Sequence, residues 1–315
     1  MKQLLIVIVG PTAVGKTALS LKIARQFNGE IISGDSMQVY RGMDIGTAKA
    51  SPAEQREIPH HLIDIVDPDY PFSVAEFQER AEQAIRDIAD RDHLPILVGG
   101  TGLYIQSVTH RYRFSEADAD EKIRTRWREY GERYGKEALH DALRRVDPES
   151  ADRLHPNDVR RIIRALEIVE RTGKTMTEYH QEQQRQSPYD TLWIGLTMER
   201  DVLYERIDKR VDAMIEQGMV EEVKQLKQKG CTLDLVSMQG LGYKEIMMVL
   251  EGEWSLEEAV NTIKQNTRRF AKRQLSWFRR IQDIHWWDMT EKTEREHKIR
   301  EICQFVAGKL TSREE

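Results

Sequence analysis

Cysteine is nearly missing from this chain. Cys231 and Cys303 are the two it has in 315 residues, far apart and outside any Cys-x-x-Cys spacing. That spacing excludes a disulfide framework and points to core or helix-face thiols in a reducing compartment. Long apolar runs are missing as well, none approaching the roughly 20 residues that span a bilayer. The apolar opening at residues 4–9 is too short for a secretory leader. A soluble cytoplasmic protein with no membrane partner, and a monomer, is expected. An overall positive charge is also absent: 48 Lys and Arg stand against 53 Asp and Glu, a net charge of −5. Any nucleic acid must therefore be met by a local patch. There is no internal repeat and no low-complexity segment. His60, His61 and His155 lack companions at metal-ligand spacing, so no structural metal is expected.

What is present begins with a glycine-rich loop. Residues 10–17 read Gly-Pro-Thr-Ala-Val-Gly-Lys-Thr, a G-x-x-x-x-G-K-T loop directly after the apolar run at 4–9 and directly before a helical pattern at 18–26. Strand, glycine turn and helix in that order let backbone N–H groups wrap a polyphosphate, and the helix N-terminus adds partial positive charge. In this reading Lys16 reaches the terminal phosphate oxygens and the Thr17 hydroxyl holds Mg²⁺. Such loops serve ATPases, GTPases, small-molecule kinases and transferases that never cleave between phosphates, so the acceptor must be read elsewhere.

Strand patterns at 4–9, 30–33, 62–66 and 95–99 alternate with helical patterns at 18–26 and 74–91. The alternation implies a parallel sheet with helices on its faces, a phosphate-loop NTPase-like α/β class. From about 111 to 187 no strand pattern appears; the composition turns highly charged, as at 121–129, and apolar residues at helical spacing are plain at 159–169. A strand pattern resumes at 191–196, and a short run at 284–287 adds a last strand. The expected organisation is an α/β core over 1–110, an all-helical insertion over 111–187, and a return to the sheet with C-terminal helices over 188–315.

Asp35 follows the second strand in Ser-Gly-Asp-Ser-Met-Gln (33–38). At the carboxyl end of a strand near the phosphate loop, a carboxylate can act as a general base or hold Mg²⁺ through water. The fourth strand runs into Gly99-Gly100-Thr101-Gly102 and carries no acidic residue of the Walker-B kind. That glycine segment suits either close approach of a ligand or a tight strand-to-helix turn. Arg206 and Arg210, at i, i+4 with Asp212 nearby, suit either a clamp on a leaving diphosphate or solvated ion pairs. Residues 268–280 hold six basic side chains and no acidic one, with Trp277 and Phe278 available to stack or pack, and Arg160, Arg161 and Arg164 form a second basic cluster.

In order along nearly the whole chain, the strings at 10–17, 33–40, 43–49, 97–104, 155–158, 164–167, 240–244 and 267–274 resemble the bacterial tRNA dimethylallyltransferase family. Asp-Ser-Met-Gln-Val-Tyr and Asp-Ile-Gly-Thr-Ala-Lys are its most specific strings. The resemblance implies transfer of a dimethylallyl group from dimethylallyl diphosphate to N6 of the adenosine 3′-adjacent to the anticodon, with Mg²⁺ as cofactor and the tRNA anticodon stem–loop as partner. It implies that Asp35 is the general base and that Lys16, Thr17, Thr101 and Arg210 complete the catalytic set. Gly10, Pro11, Thr12, Ala13, Val14, Gly15, Lys16 and Thr17 would hold the diphosphate or a nucleotide, and Thr17 the metal. Contacts to tRNA would come from Asp35, Ser36, Met37, Gln38, Thr101 and Arg124, from Arg160, Arg161, Ile162, Ile163 and Arg164, and from Gln239, Gly240, Leu241, Gly242, Tyr243 and Lys244. Arg160 stands where many relatives carry glutamine, and Gln239 where some carry arginine. The alternatives are a small-molecule or nucleotide kinase of the same fold class and an adenylate isopentenyltransferase. The missing Walker-B acid speaks against the first, and the two basic patches against the second.

Overall fold

Six short apolar segments build the sheet in this computed structural model, which describes residues 2–110, 112, 120–181 and 187–314. They are β1 (Leu4–Val9), β2 (Gly29–Ser33), β3 (His60–His61), β4 (Leu94–Gly99), β5 (Asp190–Thr197) and β6 (His285–Asp288). Every pairing between them is parallel and the order is β3-β2-β4-β1-β5-β6. β1 is buried along its whole length, as a central strand covered on both faces must be. Its pleat sends Leu5, Val7 and Val9 into one core and Leu4, Ile6 and Ile8 into the other.

The helices around the sheet are α1 (Lys16–Gln26), α2 (Pro52–Glu57), α3 (Val74–Ala89) and α4 (Gly102–Thr109). Between them and the later ones come α5 (Glu121–Tyr134), α6 (Lys136–Val146), α7 (Pro148–Arg153), α8 (Val159–Thr172) and α9 (Met176–Gln181). The chain then continues through α10 (Arg200–Glu216), α11 (Met219–Gln228), α12 (Tyr243–Leu250), α13 (Leu256–Phe278) and α14 (Arg295–Glu314). Phe77 and Ile85 of α3, Ile105 of α4 and Ile246 of α12 pack on one face of the sheet. Leu19 and Ile23 of α1, Leu203 and Ile207 of α10 and Ile302 of α14 pack on the other. The sheet and these helices form one unit, Met1–Thr109 with Pro188–Glu315, while His110–Ser187 forms another. The expected boundary at residue 111 lies outside the described residues.

Helices are the regular elements of the second unit among its described residues. Leu139, Leu143, Ile162, Ile163 and Leu166 make its core. Glu167 is fully buried beside that core. Its carboxylate accepts from Arg164 (2.8 Å), Arg124 (3.0 Å) and the Asp120 N–H (2.7 Å). Burial raises the carboxyl pKa, but these three donors outweigh it and hold Glu167 below its ordinary value.

One expected strand fails. Residues 62–66 were expected to be extended, yet β3 ends at His61. Leu62 and Asp64 take left-handed backbone angles, φ 62° and 55°, which a pleated strand cannot hold. Buried Lys49 explains the bend at Asp64. Its ammonium bonds the carboxylates of Asp64 and Asp44 and the carbonyl of Tyr40, tying this segment to the loop after β2.

The register aligns the strand ends. Val9 lies beside Gly99 and Gly195, and Ser33 beside Val98, so β1, β2, β4 and β5 finish at one edge of the sheet. Just beyond it the chain after β2 touches the end of β4 backbone to backbone. The Gly34 N–H donates to the Val98 carbonyl at 2.7 Å, and a Cβ on Gly99 would stand 2.2 Å from the Gly34 oxygen. Gly99→Ala must push the two segments apart. A loss of about 1–3 kcal/mol is expected in denaturant unfolding, with larger damage to whatever function lies beyond these strand ends.

Candidate active site

The glycine loop sits where its pattern requires. Gly10, at φ 149°, follows β1 so closely against β5 that a Cβ would lie 2.5 Å from the Leu196 carbonyl oxygen. Gly15 is left-handed and opens α1, whose first residues are Lys16 and Thr17. The amides of the loop and of the helix start therefore face one anion-sized space. Lys16 donates to the Gly10 and Pro11 carbonyls at 2.9 and 2.8 Å, holding the loop closed on itself.

A cavity of about 840 Å³ opens over the loop. Its wall brings together Lys16, Thr17, Asp35, Gln38, Thr101 and Arg210, which lie far apart in sequence, together with residues 239–243. Lys244 is exposed and lies outside that wall. Ser36 N–H donates to the Thr101 hydroxyl at 3.3 Å, linking the turn after β2 to the turn after β4. Asp35 accepts the Met37 N–H at 2.8 Å, which fixes its carboxylate in the turn. Gln38 is held at both ends: its oxygen accepts from Ser33 and its amide donates to the carbonyls of Thr47 and Ala48. Its amide therefore shapes the site wall.

Arg206 and Arg210 of α10 are not paired with the acids that share their stretch of the helix. Asp208 binds Arg268 at 2.6 Å and Asp212 binds Lys264 at 2.5 Å, both on α13. Arg206 turns to the loop instead and donates to the Ala13 carbonyl at 2.9 Å. Arg210 stands near Asp35 and Lys16, and burial pushes its guanidinium below the ordinary value while Asp35 pulls it back. Lys16 is pushed down to about 7, first by burial and then by Arg210, with Asp35 opposing. Both arginines of the pair line the cavity wall.

Several expected contacts fall elsewhere. Ile162 and Ile163 are buried in the helical unit's core, whereas Arg160 and Arg161 are exposed on the same helix. Arg124 and Arg164 share Glu167. Tyr243 is buried, its hydroxyl bonded to Glu222 at 2.6 Å, so it supports a loop and presents no hydroxyl to a ligand. The Gln239 amide donates to the Leu233 carbonyl. In the basic run, Arg268 is paired, Phe278 is core, and Arg269, Lys272, Arg273, Arg279 and Arg280 are exposed.

Gln274 is the residue the sequence concealed. It lies inside the basic run but is buried. Its oxygen accepts the Thr12 N–H at 2.8 Å and its amide donates to the Gly100 carbonyl at 3.0 Å, joining the glycine loop to the turn that carries Thr101. Only its position on the same helix face as buried Ala271 and Phe278 hinted at this role.

The donor chemistry fits a hard divalent cation held mainly by a ligand's own oxygens. Thr17 offers a hydroxyl and Asp35 a carboxylate to one cavity, while no group of three or more His, Cys, Asp or Glu suited to metal binding occurs among the described residues. No helix among them is long and apolar enough to cross a membrane.

A phosphate loop after β1, a carboxylate after β2 and an arginine pair on α10, meeting at the head of a parallel sheet with no acid at the end of β4, define the class as an α/β protein of the phosphate-loop kind. Comparisons with known proteins narrow the class. An IPP transferase model matches residues 38–281 and an isopentenyl transferase model residues 3–70. The chain is 53% identical over 310 residues to the tRNA dimethylallyltransferase of Geobacillus thermodenitrificans, covering 98% of each. Among solved structures it is similar to the tRNA isopentenylpyrophosphate transferase of Bacillus halodurans, at 51% identity and TM-score 0.75, covering 99% of this chain and 98% of that one. It is also similar to a eukaryotic dimethylallyltransferase acting on tRNA, at 33% identity and TM-score 0.85, covering 99% and 80%. The chain belongs to the tRNA dimethylallyltransferase family of IPP transferases.

Two measurements check the anion grip. The folded Lys16 value lies below the unfolded 10.5, so above pH 7 the ligand-free protein holds this amine neutral. An anion favours the ammonium, and binding then takes up a proton. Affinity for inorganic pyrophosphate should fall as pH rises above 7, and Lys16→Met should flatten that dependence in calorimetric titration. By the same linkage the ligand-free protein gains stability as pH climbs from 7 toward 10.5. Gln274→Leu strands the Thr12 N–H and the Gly100 carbonyl. It should weaken pyrophosphate binding by about 1–3 kcal/mol, and unchanged affinity would show that the loop holds its shape without it.

Proposed function

We propose that this protein transfers the dimethylallyl group of dimethylallyl diphosphate to the N6 amine of the adenosine 3′-adjacent to the anticodon of tRNA, releasing diphosphate. The observation that carries the reading is the shared cavity of the phosphate loop, Arg210 and Asp35, with no acid at the end of β4.

In the reaction the N6 lone pair forms a bond to the allylic carbon, and the bond from that carbon to the bridging oxygen breaks. The electron pair leaves with the diphosphate. Negative charge grows on that oxygen, where the loop amides, Lys16, Arg206 and Arg210 face it. An aromatic amine is a weak nucleophile, so its proton must leave as the new bond forms. Asp35 accepts that proton, and its bond from the Met37 N–H keeps it in place. Thr101, bonded to the Ser36 amide, sets the opposite wall of the approach. Thr17 and the diphosphate oxygens would hold Mg²⁺, which supplies further neutralisation of the leaving group when bound. The base has to leave the anticodon-loop stack to reach the cavity, and an unpaired loop base does so more cheaply than a paired one. The exposed arginines of α13, and Arg160 and Arg161 of α8, supply the local positive patches that such an RNA requires.

The test supplies labelled dimethylallyl diphosphate and Mg²⁺ with either bulk tRNA or AMP. Label in tRNA is expected, and label confined to AMP would move the protein to the adenylate class. Asp35→Ala should lower transfer by about 10²- to 10⁴-fold while tRNA binding by filter retention persists. Near-normal turnover by that variant would remove Asp35 from the mechanism.

A further inference from the structure

Glu222 lies on α11, outside every motif that drew attention in the sequence, yet its carboxylate receives four donors. One oxygen accepts the N–H groups of Asp44 (2.9 Å) and Ile45 (2.7 Å). The other accepts the Gly46 N–H (3.2 Å) and the Tyr243 hydroxyl (2.6 Å). Three consecutive amides aimed at one carboxylate form an anion-binding concavity whose anion is supplied by the protein itself. The contact joins two loops that are about 200 residues apart in sequence. Gly46 lies so close to the Tyr243 ring that a Cβ would stand 2.6 Å from it, so the loops are interlocked as well as bonded.

Both loops face the cavity. Gly46, Thr47 and Ala48 line it from one side, and residues 239–243 from another. Thr47 and Ala48 in turn receive the Gln38 amide, three residues from Asp35. Tyr243 is pushed well above an ordinary phenol by burial first and by the Glu222 charge second, so it remains a donor across the working pH range. The four donors on Glu222 come from Asp44, Ile45, Gly46 and Tyr243, none of them part of the glycine loop or of Arg206 and Arg210.

We propose that Glu222 is a positioning residue for RNA. Its carboxylate pins the loop at Asp44–Gly46 to Tyr243, so the walls that receive the target nucleotide are set before the nucleotide arrives. The inference rests on the function proposed above, because it assigns that part of the cavity to the base and the glycine loop to the diphosphate. A pin of this kind acts on RNA capture and leaves the leaving-group site alone.

Glu222→Gln keeps the size of the side chain but turns a donor amide toward groups that are themselves donors. Tyr243→Phe removes one hydroxyl with little loss of packing. Steady-state transfer to an anticodon stem–loop is measured for the parent and both variants, together with pyrophosphate affinity and thermal midpoint. Glu222→Gln should raise KM for the stem–loop by about ten- to a hundredfold, the loss expected for charge-assisted hydrogen bonds. Pyrophosphate affinity should remain within about twofold of the parent. Tyr243→Phe should raise the same KM less, and the double variant should exceed Glu222→Gln by less than the product of the two effects. An RNA KM close to the parent's in both variants overturns the proposal. So does a Glu222→Gln defect in which pyrophosphate affinity falls in step with RNA, or one that appears only as a lowered thermal midpoint, because either marks a purely structural residue. A parent protein that fails to modify the stem–loop at all would instead strike the proposed function.

Discussion

Three basic side chains, Lys16, Arg206 and Arg210, share one small space at the head of the sheet, and the site is organised around them. Lys16, Arg206 and Arg210 are each held below their ordinary pKa values, chiefly by burial, and Asp35 is the carboxylate that pulls Lys16 and Arg210 back. The acids that might have neutralised α10 are engaged elsewhere, Asp208 by Arg268 and Asp212 by Lys264. Positive charge confined at low dielectric is unfavourable until an anion enters, and the entering anion then meets preorganised donors. Within the loop Lys16 also bonds the carbonyls of Gly10 and Pro11.

Glycine makes the arrangement geometrically possible. Parallel strands end together, but their following turns would normally be held apart by side chains. Gly34 and Gly99 let those turns touch, and Gly10 lets the loop leave β1 against β5. Asp35, Thr101 and Lys16 therefore reach one cavity from three strand ends. Gln274 and Glu222 complete the frame from α13 and α11, each bonding main-chain atoms of segments distant in sequence.

The fold was legible wherever a local pattern expressed a local cause. A continuous apolar run predicts β1 because a central parallel strand is buried on both faces, and the glycine spacing predicts the loop because Gly10 and Gly15 both take positive φ there. The strand expected at 62–66 was misread, because the run is apolar on either side of Asp64, yet Lys49 holds the backbone bent at Asp64 from a distance in sequence. Site residues divide the same way. Asp35, Lys16 and Arg210 carry charge in recognisable strings. Gln274 and Glu222 act on backbone atoms, and a single residue bonding remote amides leaves no spacing to detect. Ile162 and Ile163 fell within a basic string whose helical period sends them inward.

The position of the carboxylate matters more than its presence. In transfer to phosphorus, the reacting centre lies within the bound polyphosphate, and an acid beside the loop on β4 would serve a metal there. In alkyl transfer the reacting carbon lies beyond the outermost bridging oxygen, so the group that accepts the proton must stand further from the loop. In the proposed reaction Asp35 is placed for that role, because it stands beyond β2, two strands from β1, while β4 between them ends in glycine. An acid at the end of β4 would add negative charge where the leaving diphosphate gathers its own. In the proposed reaction the turn at 99–102, without an acid, would leave that charge to the basic groups of the loop and α10.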